Sequence, residues 1–200
     1  MGKERPILFS GPMVRAILEG RKTQTRRIVK PQPDENGLSF MPNAPLDWRD
    51  DVHGDWNPWK GETPDGDTWR GRVQCWPGDR LWVRETWMRS PNAHLGMPPI
   101  EYKATSSNQF IEEWPGYWKP SIHMPRWASR INLAVVSVRV ERLQDCSITD
   151  ALAEGIVTDD EWPVDPRDSY RSLWESINGP GSWDANPWVW AVEFKRVNNG

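Results

Sequence analysis

The chain has 200 residues, a net charge of -3 and a sequence pI of about 5.7. That length suits one domain that can bury a core without disulfides or metal. The acidic balance argues against a protein that coats nucleic acid through many phosphate contacts, but it leaves room for a small basic pocket.

The start, Met1 to Pro6, is charged and has no signal-type apolar segment. No stretch is long and apolar enough to span a bilayer. The expected setting is therefore the cytoplasm, with no membrane partner. Cys75 and Cys146 make no disulfide framework and read as free thiols in a reducing compartment. His53, His94 and His123 are scattered, and no Cys/His spacing resembles a zinc site, so neither a metal nor another cofactor is expected. The 15 tryptophans are several times normal usage. Most are expected to pack cores and loops, and roughly one to three to line a ligand site.

In chain order, Ile7-Leu8-Phe9 reads as a short buried strand. Ser10 is a candidate N-cap and Pro12 falls in the first turn. Met13, Ala16 and Ile17 have helical spacing, and Gly20 ends that helix. Thr23 to Val29 is polar but β-prone, a strand on or near a surface. Pro31 to Trp76 is rich in Pro, Gly, Asp, Asn and Trp. It reads as an irregular insertion anchored by Trp48, Trp56, Trp59 or Trp69, with room for a hairpin near Asp67 to Cys75.

Pro77-Gly78-Asp79 is a turn. In the next strand Leu81, Val83, Glu85 and Trp87 share one face. Ile100 to Ala104 offers another strand, and Asn108 to Met124 is loop-like and aromatic. Ile131 to Leu143 is the clearest strand, expected to be central with Val136 and Val138 buried. Ser147 and Asp150 make a capping box for a helix that stops at Gly155. Tyr170, Leu173, Trp174 and Ile177 mark a second helix, broken by Asn178-Gly179-Pro180-Gly181. Trp188 to Val197 is a final strand. Strands dispersed among a few short helices predict a single α+β domain over residues 1–200, with the insertion at about 31–76.

The most unusual segment is Gly20-Arg21-Lys22-Thr23-Gln24-Thr25-Arg26-Arg27, with four cations and two threonine hydroxyls in eight residues. Arg forks onto phosphates and base edges, and a desolvated Lys beside a Thr can activate a hydroxyl. The plainer reading is a solvated edge strand protected by charge. Glu85 either faces the interior, with Lys22 or Arg27 as its cation, or lies exposed at the strand end beside Arg84. His123 reads as a general base, a ligand contact or a packed loop residue. Arg126 and Arg130 with Trp127 form either a base-stacking group or an Arg packed on Trp.

Gly20, Lys22, Thr25 and Arg27 match the G-x-K-x-x-T-x-R signature, and the chain resembles ASCH-domain proteins of the PUA-like superfamily. Pro77 to Trp87, Trp118 to Trp127 and Asn186 to Trp190 resemble a phage- and prophage-type subgroup. The resemblance implies a small PUA-like β-barrel with two or three flanking helices. It also implies a cytoplasmic protein whose partner is RNA or a modified nucleoside. One bacterial branch removes the acetyl group from acetylcytidine. By that likeness Lys22, Thr25 and Glu154 are the catalytic candidates. The ligand-binding candidates are Arg27, Arg26, Glu85, Trp87, His123, Arg126 and Trp127. The competing expectations are a ribonuclease, a non-catalytic RNA-binding module, and a phage-type protein-interaction factor using the Trp-rich insertion.

Overall fold

In the computed structural model, residues 2–30, 32, 61–62, 68–69, 75–91, 93–95, 99–157 and 165–197 are described. Two strands flank the first helix: β1 Glu4–Leu8, α1 Gly11–Leu18 and β2 Gln24–Ile28. Then come β3 Gly61–Glu62, β4 Thr68–Trp69, β5 Arg80–Arg84, β6 Trp87–Arg89 and β7 Ile100–Tyr102. The rest of the described chain forms α2 Asn108–Glu113, β8 Asn132–Arg142, α3 Ile148–Ala153, α4 Pro166–Asn178 and β9 Trp188–Val197. The protein is α+β. The main sheet has the strand order β1-β5-β8-β9-β2, and no pairing among the described residues closes it into a barrel.

Local chemistry explains most boundaries. Ser10 occupies the N-cap of α1, although its side chain makes no capping bond, and a proline sits in the first turn. Gly20 takes φ 79° directly after the helix, a conformation glycine adopts without steric cost. At α3 the Ser147 side chain accepts from the Asp150 amide and the Asp150 carboxylate accepts from the Ser147 amide, a complete capping box. Gly155 (φ 91°) and Gly179 (φ 98°) end α3 and α4.

Five expectations change. The segment Asn108 to Met124 is not all loop: Ser107 caps α2, a six-residue helix with no buried residue and so no periodic signal. Proline-led turns of 3₁₀ helix follow at Ser121–His123 and Arg126–Ala128. In the first strand Leu8 is exposed and only the following Phe9 is buried, because β1 is an edge strand with a single neighbour. Met13 yields its expected core place in α1 to Val14. Val136 is 53% exposed whereas Leu133, Val135 and Val138 are buried. The face of β8 that carries Val136 is uncovered there and becomes covered two residues later. Of the 31–76 segment, β3 and β4 pair antiparallel, slightly earlier than the expected hairpin. The expected anchoring role of Trp48, Trp56 and Trp59 lies outside the described residues.

The chain divides into two compact units. The first is Met1–Thr23, Pro77–Val136 and Phe194–Gly200, and the second is Gln24–Trp76 and Ser137–Glu193. In the first, β1 runs parallel to β5 and β5 antiparallel to the start of β8. A second layer of short strands, β6 and β7, surrounds buried Trp87, Met124 and Ala128. In the second, β2 lies antiparallel to β9 from Gln24↔Glu193 to Ile28↔Val189. Its core gathers Leu143, Cys146, Ala151, Tyr170, Trp174 and Trp183, with Tyr170 edge-on to Trp183 at 6.0 Å. No described helix is long and apolar enough to cross a membrane.

Candidate functional site

In the first unit, the helix end at Gly20 places Lys22, whose amide donates to the Ala16 carbonyl at 3.0 Å. The residue is 2% exposed, and its ammonium lies 5.6 Å from the centre of the Phe9 ring. Phe9 in turn packs on Phe194 at 6.1 Å. A buried ammonium beside aromatic rings keeps some electrostatic compensation for the water it has lost.

Glu85 is buried in the same unit, just past β5, where the strand breaks before β6. The structure gives it Arg130 rather than the expected Lys22, Arg27 or Arg84. Arg130 Nε and Nη2 donate to the two carboxylate oxygens at 2.9 Å each. The guanidinium also stacks over Tyr102 at 4.0 Å. Burial pushes the Tyr102 phenol up against the pull of Arg130, so its hydroxyl remains a donor, bonded to the Ala128 carbonyl at 2.9 Å. This is a bidentate pair, with one short bond to each carboxylate oxygen. Trp87, also expected at a ligand, is buried between Trp127 and Lys119. His123 and Trp127 stand exposed.

The second unit holds Thr25, Arg26, Arg27 and Glu154. Strand alternation sends Gln24 and Arg26 to one side of β2 and Thr25 and Arg27 to the other. The reading of a solvated edge strand is overturned, since Gln24, Thr25 and Arg26 are all buried. A lone edge arginine can be withdrawn from water because three carboxylates meet it. Arg26 Nε donates to Glu141 Oε1 at 2.7 Å, and Nη1 reaches Glu154 Oε1 at 3.3 Å. Nη2 lies 2.6 Å from Glu141 Oε1 and 3.3 Å from Asp150 Oδ1. Burial works to lower the Arg26 pKa, but Cys146, Glu141, Glu154 and Tyr170 outweigh it, and the net direction is upward. Arg26, expected among the ligand contacts, therefore has its guanidinium engaged within the protein.

The network extends outward. Arg139 bonds Glu141, Glu193 and Asp150 at 2.6–2.7 Å. Burial pushes the Asp150 carboxyl up. The Ser147 hydroxyl and amide, Arg26 and Gln24 more than reverse this and hold it well below the usual carboxylate range. Glu154 sits at the C-cap of α3, where the capping box and Gly155 fix its backbone. Its Oε1 also lies 3.4 Å from the Tyr170 hydroxyl. Burial first, then Glu154, pushes Tyr170 well above its usual value, so it stays a proton donor. Burial pulls the Arg27 guanidinium below its ordinary value, with Glu154 and Tyr170 acting against that shift.

Tyr170, Glu141 and Asp150 are the members that sequence reasoning missed at this site. Tyr170 read only as core and Asp150 only as a cap. Their link to Arg26 spans more than a hundred residues for Glu141 and Glu154, and no local motif encodes it. Among the described residues no group of three or more His, Cys, Asp or Glu is placed to hold a metal ion.

Compared with protein-family models, with curated proteins and with solved structures, the chain finds no match.

Proposed function

We propose that this chain is an ASCH-type domain with a PUA-like barrel. In this reading it binds RNA or a modified nucleoside and deacylates an acylated pyrimidine nucleoside, with acetylcytidine the first substrate to try. The observation that supports this best is burial. Lys22 (2% exposed), Thr25 (2%) and Glu154 (4%), the three residues marked by the resemblance, belong to the small set of polar side chains withdrawn from water. Burying an ammonium and a carboxylate is costly, and such groups concentrate where their chemistry is used.

The reaction consumes water and yields cytidine and acetate. In its neutral amine form Lys22 takes the proton from the attacking hydroxyl and then stands as a cation near the developing oxyanion. Where that hydroxyl is Thr25, water then hydrolyses the acetyl-threonine ester to acetate, and where it is water, acetate forms directly. Glu154 passes a proton to the departing amine of the base. Arg27, a guanidinium kept partly out of water, holds a ribose, phosphate or carbonyl oxygen.

The test is release of cytidine from acetylcytidine. Wild type turns over, Lys22→Arg and Thr25→Ala do not, and Thr25→Ser retains part of the rate because the hydroxyl survives. Glu154→Gln slows the reaction by about 10²–10⁴-fold. Turnover that persists in Lys22→Arg overturns the mechanism. Tight nucleoside binding with no turnover on any acylated nucleoside replaces the enzyme with a binding module.

A further inference from the structure

Charge is divided unevenly between the two units. The first carries 14 Lys and Arg against 7 Asp and Glu, and the second 11 against 21, so that +7 and -10 make up the chain's -3. The acidic balance of the whole chain argued against extended phosphate binding. Resolved by unit, that argument holds for the second and fails for the first.

Within the basic unit the asymmetry sharpens around one segment. From Trp114 to Val136, where that stretch of the unit ends, the sequence contains no Asp or Glu. Four large apolar side chains there stand in water: Tyr117, Ile122, Val136 and Trp127, the last 60% exposed. The Trp127 ring packs edge-to-face on buried Trp87 at 5.8 Å and 87°, which fixes its orientation without covering it. Arg89 lies 5.6 Å from the Trp127 ring centre, and Lys119 lies 5.2 Å from that of Trp87. Trp82 carries Arg84 at 4.6 Å and Arg126 at 6.0 Å. Arg126 also pairs with exposed Glu4 at 3.0 Å, a weak surface contact that a phosphate can displace.

A fixed, solvent-facing indole flanked by cations is the arrangement that binds unpaired bases: the ring stacks on a base and the cations track the phosphates. An acidic protein partner uses the cations but leaves the immobilised ring unexplained. We propose that the first unit binds single-stranded nucleic acid on this surface, with a base stacked on Trp127 and phosphates held by Arg89, Lys119 and Arg126. This surface rests on and locates the RNA-binding part of the proposed function, goes beyond its deacylation part and needs no acyl group.

The experiment is fluorescence anisotropy of the full chain with labelled ten-nucleotide oligouridylate, oligothymidylate and an abasic strand of equal length, at several salt concentrations. Wild type binds both base-bearing strands, with affinity that falls as salt rises. Trp127→Ala weakens binding about tenfold or more, whereas Trp127→Phe keeps most of it, because a ring still stacks. Arg89→Gln lowers the salt slope by about one. The abasic strand binds more weakly than the base-bearing strands, and Trp127→Ala does not weaken it further. Three results overturn the proposal: no binding at about 50 mM salt, an affinity indifferent to Trp127→Ala, or an abasic strand bound as tightly as oligouridylate. Equal competition by oligoglutamate also overturns it, assigning the surface to an acidic protein. Because these probes carry no acyl group, an inert acetylcytidine sinks the deacylase and leaves this surface standing, and failure here leaves the deacylase untouched.

Discussion

Each unit buries one glutamate from the candidate set, and each gives it an arginine, but the two pairs are built differently. Glu85 receives a guanidinium face-on, one 2.9 Å bond to each oxygen, from an arginine whose side chain is 26% exposed. Arg26 is fully enclosed and shared among three carboxylates, so Glu154 has it only at 3.3 Å, on the oxygen that also faces Tyr170. The first arrangement gives each oxygen of one carboxylate its own short bond. The second gathers three carboxylates on one guanidinium, with Glu141 nearest. A two-bond pair of this kind suits a strand break that must be fixed, whereas the proposed deacylation asks Glu154 to pass a proton. The proposed deacylation accordingly gives Glu85 a structural part and Glu154 the chemical one.

The sharpest break of the comparison comes from removing each arginine. Arg26→Ala takes from enclosed Glu154 its contact with Arg26 and leaves Glu141 and Asp150 to Arg139, and is expected to cost about 5 kcal/mol, the upper end for a broken buried pair. Arg26→Met, which removes the charge but fills the volume, loses the same contacts and recovers only the packing. Arg130→Ala strands a single carboxylate next to a partly open space, and about 3 kcal/mol is expected, near the lower end for such a loss. Urea unfolding of both variants measures the order. If Arg130→Ala proves the costlier, the shared network is not what holds the second unit together.

How far these pairs could be read in advance follows from their separations. The Ser147–Asp150 box, the glycine stops and the bounds of β9 rest on neighbours within a few residues, and each is present as expected. A motif singles out Lys22 and Thr25, likeness to the family singles out Glu154 by its place after a short helix, and the structure buries all three. What the sequence hid is which cation meets which carboxylate. A run such as Thr25-Arg26-Arg27 looks solvated because its neutralising partners arrive from β8 and α3, over a hundred residues on. Arg130 lies 45 residues beyond Glu85, in a segment whose aromatic content pointed to stacking rather than to an ion pair. The six-residue α2 buries nothing, so it left no periodic trace.

A milder perturbation, acid, acts on the two pairs unequally. Asp150 is held well below its ordinary value, near 4 in an unfolded chain, by Ser147, Arg26 and Gln24 against the opposing pull of burial. A carboxyl depressed in the folded state contributes stability that is complete above its unfolded value. That contribution is lost as pH falls toward the folded value. The urea midpoint should therefore decline below about pH 5. Asp150→Asn starts from a lower midpoint at neutral pH but shows a flatter acid limb. An acid limb unchanged in Asp150→Asn assigns the loss to other carboxylates.

The smallest expected effect lies at the other end of the pH range and belongs only to the second unit. Burial pushes the Cys146 thiol up to about 12, with Arg26 opposing and Asp150, Glu154 and Glu141 adding to the rise. In an unfolded chain the same thiol ionises near 8.5. An acid whose folded value is raised contributes stability that is complete below the unfolded value and lost as pH climbs toward the folded one. Between about pH 9 and 12 the unfolded state gains thiolate that the folded state refuses, a loss of about 1 kcal/mol by pH 9.5. Tyr170, raised for the same reason, extends the limb higher. Cys146→Ala should flatten the first part of this alkaline decline and Tyr170→Phe the later part. Arg26, shifted upward, keeps its charge throughout, so the ion network itself does not titrate there. The same burial makes a kinetic prediction. At pH 8 Cys146 should react with a thiol reagent no faster than the protein unfolds, because the neutral, enclosed thiol is a poor nucleophile. Labelling of the native Cys146 at the rate of an exposed cysteine means that the site around Arg26 opens without unfolding. In that event the contrast with the Glu85–Arg130 pair is one of dynamics as well as geometry.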